Sequence, residues 1–202
     1  MIAAMIEWMM IASVRLLIGA RPRARDREQS ADQRIYVANH SSHLDAVLLS
    51  STLPPTLRRR TRPVAAAEYW TAGPIRRYLI HSIFRGVLLQ REGGRLNPLE
   101  PAAIALRRGD SLIFFPEGTR GSGKILRPLK PGLFHLARWF PNIDIVPAWI
   151  DNSYRVLPKG SAIPLPQPCS ITFGSPLRWK EGQQQEEFLA EVRETLEALQ
   201  PK

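Results

Sequence analysis

Apolar and polar positions change period repeatedly along the 202 residues, and the changes outline alternating strands and helices. Residues 1–20, MIAAMIEWMMIASVRLLIGA, are apolar apart from Glu7 and Arg15 and predict one helix. Arg34–Ala38 (RIYVA) reads as a short buried strand. A helix is expected through Asp45–Ser50, capped by Ser41 or Ser42 and stopped by Pro54 and Pro55. Val64–Ala67 and Phe84–Gln90 predict two further strands, with a helix from Thr71 to about Ile80 between them. Asn97-Pro98-Leu99-Glu100 has the form of a helix start, with Asn97 as N-cap, Pro98 at the first position and Glu100 completing a capping box. That helix ends at Gly109, and Ser111–Phe115 (SLIFF) follows as a strand. Leu133–Phe140 is helical, and Ile143–Ile150 is a strand that Pro147 should break or confine to an edge. After a proline-rich loop at 151–168, Ser170–Phe173 forms a late strand. Gln185–Leu199 closes the chain as a helix with Phe188, Val192, Leu196 and Leu199 on one face.

This alternation predicts an α/β fold: a mixed, largely parallel sheet flanked by helices and preceded by an N-terminal membrane-associated helix. Two parts are expected. Residues 1–28 form the membrane-associated helix and its basic flank, and 29–202 form one α/β domain. The composition, 44% hydrophobic and 23% charged, suits a single globular core of this length.

Charge sharpens the reading of the N-terminus. The net charge is +10, carried mostly by arginine, while the last helix is acidic. A surface of this sign attracts anions such as headgroups, phosphorylated substrates or nucleic acid. Arg21, Arg23, Arg25 and Arg27 follow the apolar run, whereas a signal peptide carries its positive charge before it. A spanning helix fits in length, but Glu7 and Arg15 would both be costly within the bilayer. A helix lying in the interface accommodates both charges, with Trp8 and the arginines at headgroup level. The alternative is a helix packed on the protein's own core. Aromatic residues are not interleaved with basic ones as in single-strand binders, so nucleic acid is not an expected partner.

Cys169 is the sole cysteine, which excludes an internal disulfide and a cysteine-rich zinc site. His81 and His135 make no recognisable ligand spacing, so no metal site is expected.

Candidate chemistry concentrates in two strand-end turns. In the first, Asn39-His40-Ser41-Ser42-His43-Leu44-Asp45, His40 and Asp45 would not share a helix face, since five residues is about 140° past a full turn. With His40 in the loop before the helix, Asp45 can take a hydrogen bond from one imidazole nitrogen and leave the other as a proton acceptor. Taken alone, the pair is better explained as surface histidines beside a capping serine, and His43 is an alternative base. In the second turn, Phe115-Pro116-Glu117-Gly118-Thr119-Arg120, the Arg120 fork suits phosphate. Gly118 allows close backbone approach, and Glu117 would orient Arg120 or bind a substrate hydroxyl. The overlapping Gly118–Lys124 stretch imitates a nucleotide-binding loop. However, Ile125 stands where a magnesium-binding hydroxyl belongs, and Pro128 and Pro131 preclude the helix that should follow.

Jointly, these segments resemble the glycerolipid acyltransferase family, to which the bacterial 1-acylglycerol-3-phosphate acyltransferases belong. His40 and Asp45 match its His-x4-Asp motif, and residues 115–120 match its FPEGTR motif letter for letter. Gly86-Val-Leu-Leu-Gln90-Arg91 is similar to its second block, with Gln90 where members often carry an acid. Lys130-Pro131-Gly132 and the strand around Pro147 are similar to later blocks, in the right order over residues 34–175.

The resemblance implies that His40 deprotonates the acceptor hydroxyl while Asp45 steadies the ring. It implies that Arg91, Glu117, Gly118, Thr119 and Arg120 bind the phosphate, with Gly86, Lys130 and Pro147 as accessories. The implied reaction moves a fatty acyl group from acyl-CoA or acyl carrier protein, without a further cofactor, to a lysophosphatidic acid-like acceptor in phospholipid synthesis. A different lysolipid or glycerol-3-phosphate is the alternative acceptor, and a basic binding module without catalysis or a hydrolase is the alternative activity. The implied location is the cytoplasmic face of the inner membrane.

Overall fold

The computed structural model describes residues 2–18, 21–24, 32–90, 97–156 and 167–201. Its centre is a seven-stranded sheet in the order β1-β7-β6-β2-β5-β3-β4. The strands are β1 (Arg21–Ala24), β2 (Arg34–Ala38), β3 (Thr61–Ala66), β4 (Val87–Leu89), β5 (Ser111–Phe114), β6 (Asp144–Asp151) and β7 (Ser170–Phe173). β2 pairs parallel to both β5 and β6, and β3 pairs parallel to β4 and β5. β7 runs antiparallel to β6, and β1 runs parallel to β7, so the sheet is mixed and mostly parallel, as expected.

Every residue of β2 is buried, because helices cover both faces of the sheet. Ile35, Val37, Leu112, Phe114 and Ile145 face α6 (Glu100–Arg107), α7 (Gly132–Trp139) and α9 (Gln185–Glu197). The alternate residues Tyr36, Ala38, Ile113, Val146 and Ile150 face α2 (Asp45–Thr52) and α1 (Ile2–Ile18). Phe188, Val192, Leu196 and Leu199 all lie in the first core, as their periodicity predicts.

Pro147 does not break β6 or place it at an edge: the strand lies between β2 and β7. Its carbonyl accepts a hydrogen bond from Gly174 N at 2.9 Å, just past the end of β7. Ala148 pairs with Phe173, but Ile145 bridges to Leu177, so one extra residue is accommodated after Gly174. The proline nitrogen, which has no hydrogen to donate, faces that bulge.

The expected helix from Thr71 is also divided. α4 (Ala67–Trp70) ends at Thr71, and α5 (Pro74–Tyr78) starts on Pro74, which presets the helical φ. A π-turn, Leu79–Ile83, follows directly. It closes with Phe84 N and Gly86 N donating to the carbonyls of Leu79 and Ile80, which shortens the expected Phe84–Gln90 strand to β4. Pro55 stops α2 but also opens α3 (Pro55–Arg58). Asn97 Oδ1 accepts from Leu99 N, and the helix begins three residues after Asn97, so the expected cap is displaced. Part of the proline-rich loop is a short helix, α8 (Ser153–Val156).

The N-terminal helix packs on the domain. Ile11 and Val14 are buried, Arg15 donates to the carbonyl of Ser51, and Glu7 pairs with Arg58 at 3.6 Å. Its outer side exposes Met5, Trp8 and Met9. Among the described residues, no helix is long and apolar enough to cross a membrane. Of the basic flank, residues 21–24 form β1, while Arg25 and Arg27 lie outside the described residues.

Candidate active site

The site lies at the carboxyl ends of β2 and β5. As β2 ends, the buried Asn39 bridges to β6: its Nδ2 donates to Ile150 O at 2.9 Å, and its Oδ1 accepts from Ile150 N at 2.7 Å. This pair replaces the strand ladder where the chain turns away, and it fixes where the next residue, His40, emerges. His40 N donates to Glu117 Oε1 at 2.7 Å, and His40 O accepts from Gly121 N at 2.7 Å. The imidazole stacks on Phe115 with ring centres 4.3 Å apart.

Asp45 is fully buried in the first turn of α2. Its Oδ2 accepts from Ser41 N at 2.7 Å and Ser42 N at 2.8 Å and meets His40 Nδ1 at 2.8 Å. A carboxylate oxygen in this position needs donors, so the ring proton sits on Nδ1 and Nε2 is left as an acceptor. The loop-before-helix placement brings the pair together, as an unbroken helix would not. Ser41 Oγ is hydrogen-bonded to Ser153 Oγ at 2.7 Å, which supports the loop from its other side.

His43 is turned elsewhere. It stacks on Tyr69 at 4.7 Å, and its Nε2 is hydrogen-bonded to the Tyr69 hydroxyl at 3.1 Å. Burial first, then the charges of Arg120, His40 and Arg76, hold its pKa down at about 4, against the pull of Asp45. His43 therefore stays neutral in the fold at pH values where an unfolded chain would protonate it. Its contribution to stability is full above the ordinary value of 6.5 and is lost as pH falls toward 4. His43→Phe should flatten the fall in stability between those values, as read by urea unfolding at pH 7 and pH 5. Identical pH dependence in variant and wild type would refute this assignment.

The second motif divides in two. Gly118, Thr119 and Arg120 line a cavity of about 820 Å³ together with His40 and Lys130. Gly118 has φ +66°, and a Cβ there would meet Lys130 Cδ at 2.8 Å, so glycine lets the lysine stem lie across the turn. Among the described residues, no carboxylate pairs with Arg120 or Lys130. Glu117 does not orient Arg120 or face the cavity as expected. It is 3% exposed, and its Oε2 accepts from Arg127 N at 2.9 Å while Oε1 holds His40 N. Burial pushes its carboxyl above the ordinary value, while the amides of Arg127 and His40 draw it down.

The remaining expected residues scatter. Gly86 packs outside the cavity lining, where a Cβ would collide with the Ile80 side chain. Pro147 is buried in β6, away from the lining. Arg91 lies outside the described residues, although Gln90 and Asn97, on either side of 91–96, line the cavity. The cavity continues into an apolar stretch of Val47, Val64, Ile80, Phe84 and Leu89. Burial raises the Cys169 thiol to about 12, so it is no thiolate nucleophile. Asn39 and Phe115 lie in the two motifs but were given no role there, and Tyr69 was missed. Asn39 was legible as a polar residue ending a buried strand, but nothing near Tyr69 signals its contact with His43.

A family model described as Acyltransferase matches residues 21–151. The chain is 28% identical over 167 residues to a 1-acyl-sn-glycerol-3-phosphate acyltransferase of Cocos nucifera, covering 76% of this chain and 50% of that protein. It is 31% identical to the human 1-acyl-sn-glycerol-3-phosphate acyltransferase alpha, over 73% of this chain and 51% of the relative. The chain thus spans about half the length of the curated relatives it matches. In fold it is similar to the crystal structure of the 1-acyl-sn-glycerophosphate acyltransferase PlsC from Thermotoga maritima. That match has a TM-score of 0.74 at 24% identity and covers 98% of this chain and 78% of the other.

Proposed function

The chain belongs to the acyltransferase family, and on that footing we propose that it transfers a fatty acyl group from an acyl thioester to the free hydroxyl of lysophosphatidic acid. The observation that carries this reading is the 2.8 Å contact of His40 Nδ1 with Asp45, in a ring that lines the same cavity as Arg120 and Lys130.

In this mechanism His40 Nε2 takes the proton of the acceptor hydroxyl. The oxygen attacks the thioester carbonyl, and the buried Asp45 stabilises the imidazolium. The tetrahedral intermediate collapses by breaking the carbon–sulfur bond, and the imidazolium returns its proton to the leaving thiolate. Gly118, Thr119, Arg120 and Lys130 hold the acceptor phosphate, with Arg91 as a further phosphate ligand. Glu117 acts on the loop rather than on substrate. The donor is acyl-CoA or acyl carrier protein, a substrate rather than a resident cofactor, and the apolar stretch takes an alkyl chain. The exposed Met5, Trp8 and Met9 of α1 would rest in the interface of the membrane's cytoplasmic face.

Purified protein incubated with labelled acyl-CoA and lysophosphatidic acid should form phosphatidic acid. Absence of transfer with both acyl-CoA and acyl carrier protein as donors would sink the proposal, and label released without acceptor would mark a hydrolase instead.

A further inference from the structure

Five consecutive residues between two stretches of the cavity wall have no internal reason to be helical. All residues of α5 are exposed, including Ile75 at 74% and Tyr78 at 44%. No other helix among the described residues exposes every position. So short a helix is not stable by itself, and it normally persists because one face is buried. Ile75 and Tyr78 are three residues apart and therefore lie on one side. Arg76 and Arg77 project from its two flanks, each about 100° round the helix from Ile75 or Tyr78. Arg76 lies over the Tyr69 ring at 4.4 Å, and Arg77 Nη2 donates to Thr71 O at 3.2 Å. Among the described residues, neither pairs with a carboxylate.

The inner side of the same segment completes the picture. Trp70 before α5, and Ile80 and Phe84 after it, line the cavity that contains His40. The segment therefore borders the cavity at Trp70, Ile80 and Phe84 and carries the exposed α5 between them. The π-turn that continues α5 also packs against α1.

We propose that α5 is a membrane-docking element that inserts Ile75 and Tyr78 among anionic headgroups and sets the cavity beside the bilayer. Tyrosine and arginine both suit the headgroup level, where the ring sits at the boundary and the guanidinium meets phosphate. An isolated exposed isoleucine is disfavoured in water and favoured in that boundary. An acidic protein would match the arginines but offers no apolar phase for the exposed Ile75 and Tyr78. The inference rests on the proposed function only in taking the substrate to be a lipid, whose chain could then pass from bilayer to cavity without crossing water.

The test measures co-sedimentation of the full chain with phosphatidylcholine vesicles, with and without phosphatidylglycerol, for wild type, Ile75→Asp and Arg77→Glu. Both positions are exposed, so thermal melting should be unchanged. Each variant should bind the anionic vesicles roughly tenfold more weakly. Transfer to a long-chain acceptor in vesicles should fall in parallel, while transfer to a short-chain acceptor in monomeric solution stays at the wild-type rate. Unchanged vesicle binding in both variants overturns the proposal. So does intact vesicle binding combined with lost binding to an acidic carrier protein. If wild type transfers no acyl group yet binds vesicles through Ile75 and Arg77, the docking surface stands and the proposed reaction falls.

Discussion

Replacing His40 with alanine is expected to lower acyl transfer by roughly 10²–10⁴-fold while leaving the protein folded. The size follows from the role: among the described histidines that line the cavity, His40, His43 and His135, His40 is the one that meets a carboxylate. His43 is held neutral but its Nε2 is engaged by Tyr69, and Cys169 is buried and protonated. The fold survives because the backbone of residue 40 is held by Glu117 and Gly121 through main-chain groups that alanine retains. Loss of the ring deprives Asp45 Oδ2 of one of three partners, a cost of about 1–3 kcal/mol. Initial rates and thermal melting on the same preparation separate the two effects. A variant that transfers at the wild-type rate would remove His40 from the mechanism.

Glu117→Ala is expected to damage both stability and turnover, and to do so without weakening the phosphate site. The carboxylate joins the His40 loop to the segment at Arg127 through two main-chain amides. Truncation leaves both amides without their acceptor, at about 2–6 kcal/mol in all. With the loop loosened, the imidazole departs from its line with the acceptor hydroxyl, and kcat should fall by about 10²-fold. KM for lysophosphatidic acid should change little, because Arg120 and Lys130 remain. A rise in KM with kcat intact would instead place Glu117 on the substrate, as the motif first suggested.

The contrast between these two residues shows where sequence was sufficient. His40 and Asp45 were readable as a candidate pair, with His43 as the alternative, because everything that joins them lies within six residues. A strand end, a loop and a helix start are local features, and the chain between them is too short to part them. Arg120 was readable for a similar reason, being a lone cation in a turn that follows a buried strand. Glu117 occupies the same turn, but its partners are amides at residues 40 and 127, so its direction depends on how two distant segments meet. The choice between His40 and His43 had the same character, since Tyr69 decides it from 26 residues away.

The sheet divides along the same line. Hydrophobic periodicity located β2, β5, β7 and α9 almost to the residue, because a buried strand and a one-faced helix each imprint their own repeat. It misplaced Pro147 and the segment from Thr71 to Gln90. A proline is excluded from a central strand only if its nitrogen faces a partner's carbonyl, and here it faces a bulge made by Gly174 and the residues after it. The π-turn closes on carbonyls that a regular helix would have used otherwise, and Gly86 fits against Ile80 only in that closure. By itself the sequence determined most of the element types, His40 and His43 as candidate partners of Asp45, and the cationic turn, since each depends on neighbours along the chain. Only the tertiary structure decided which way Glu117 and His43 point and which surface of α5 is left bare, since those depend on contacts between parts of the chain that no local pattern records.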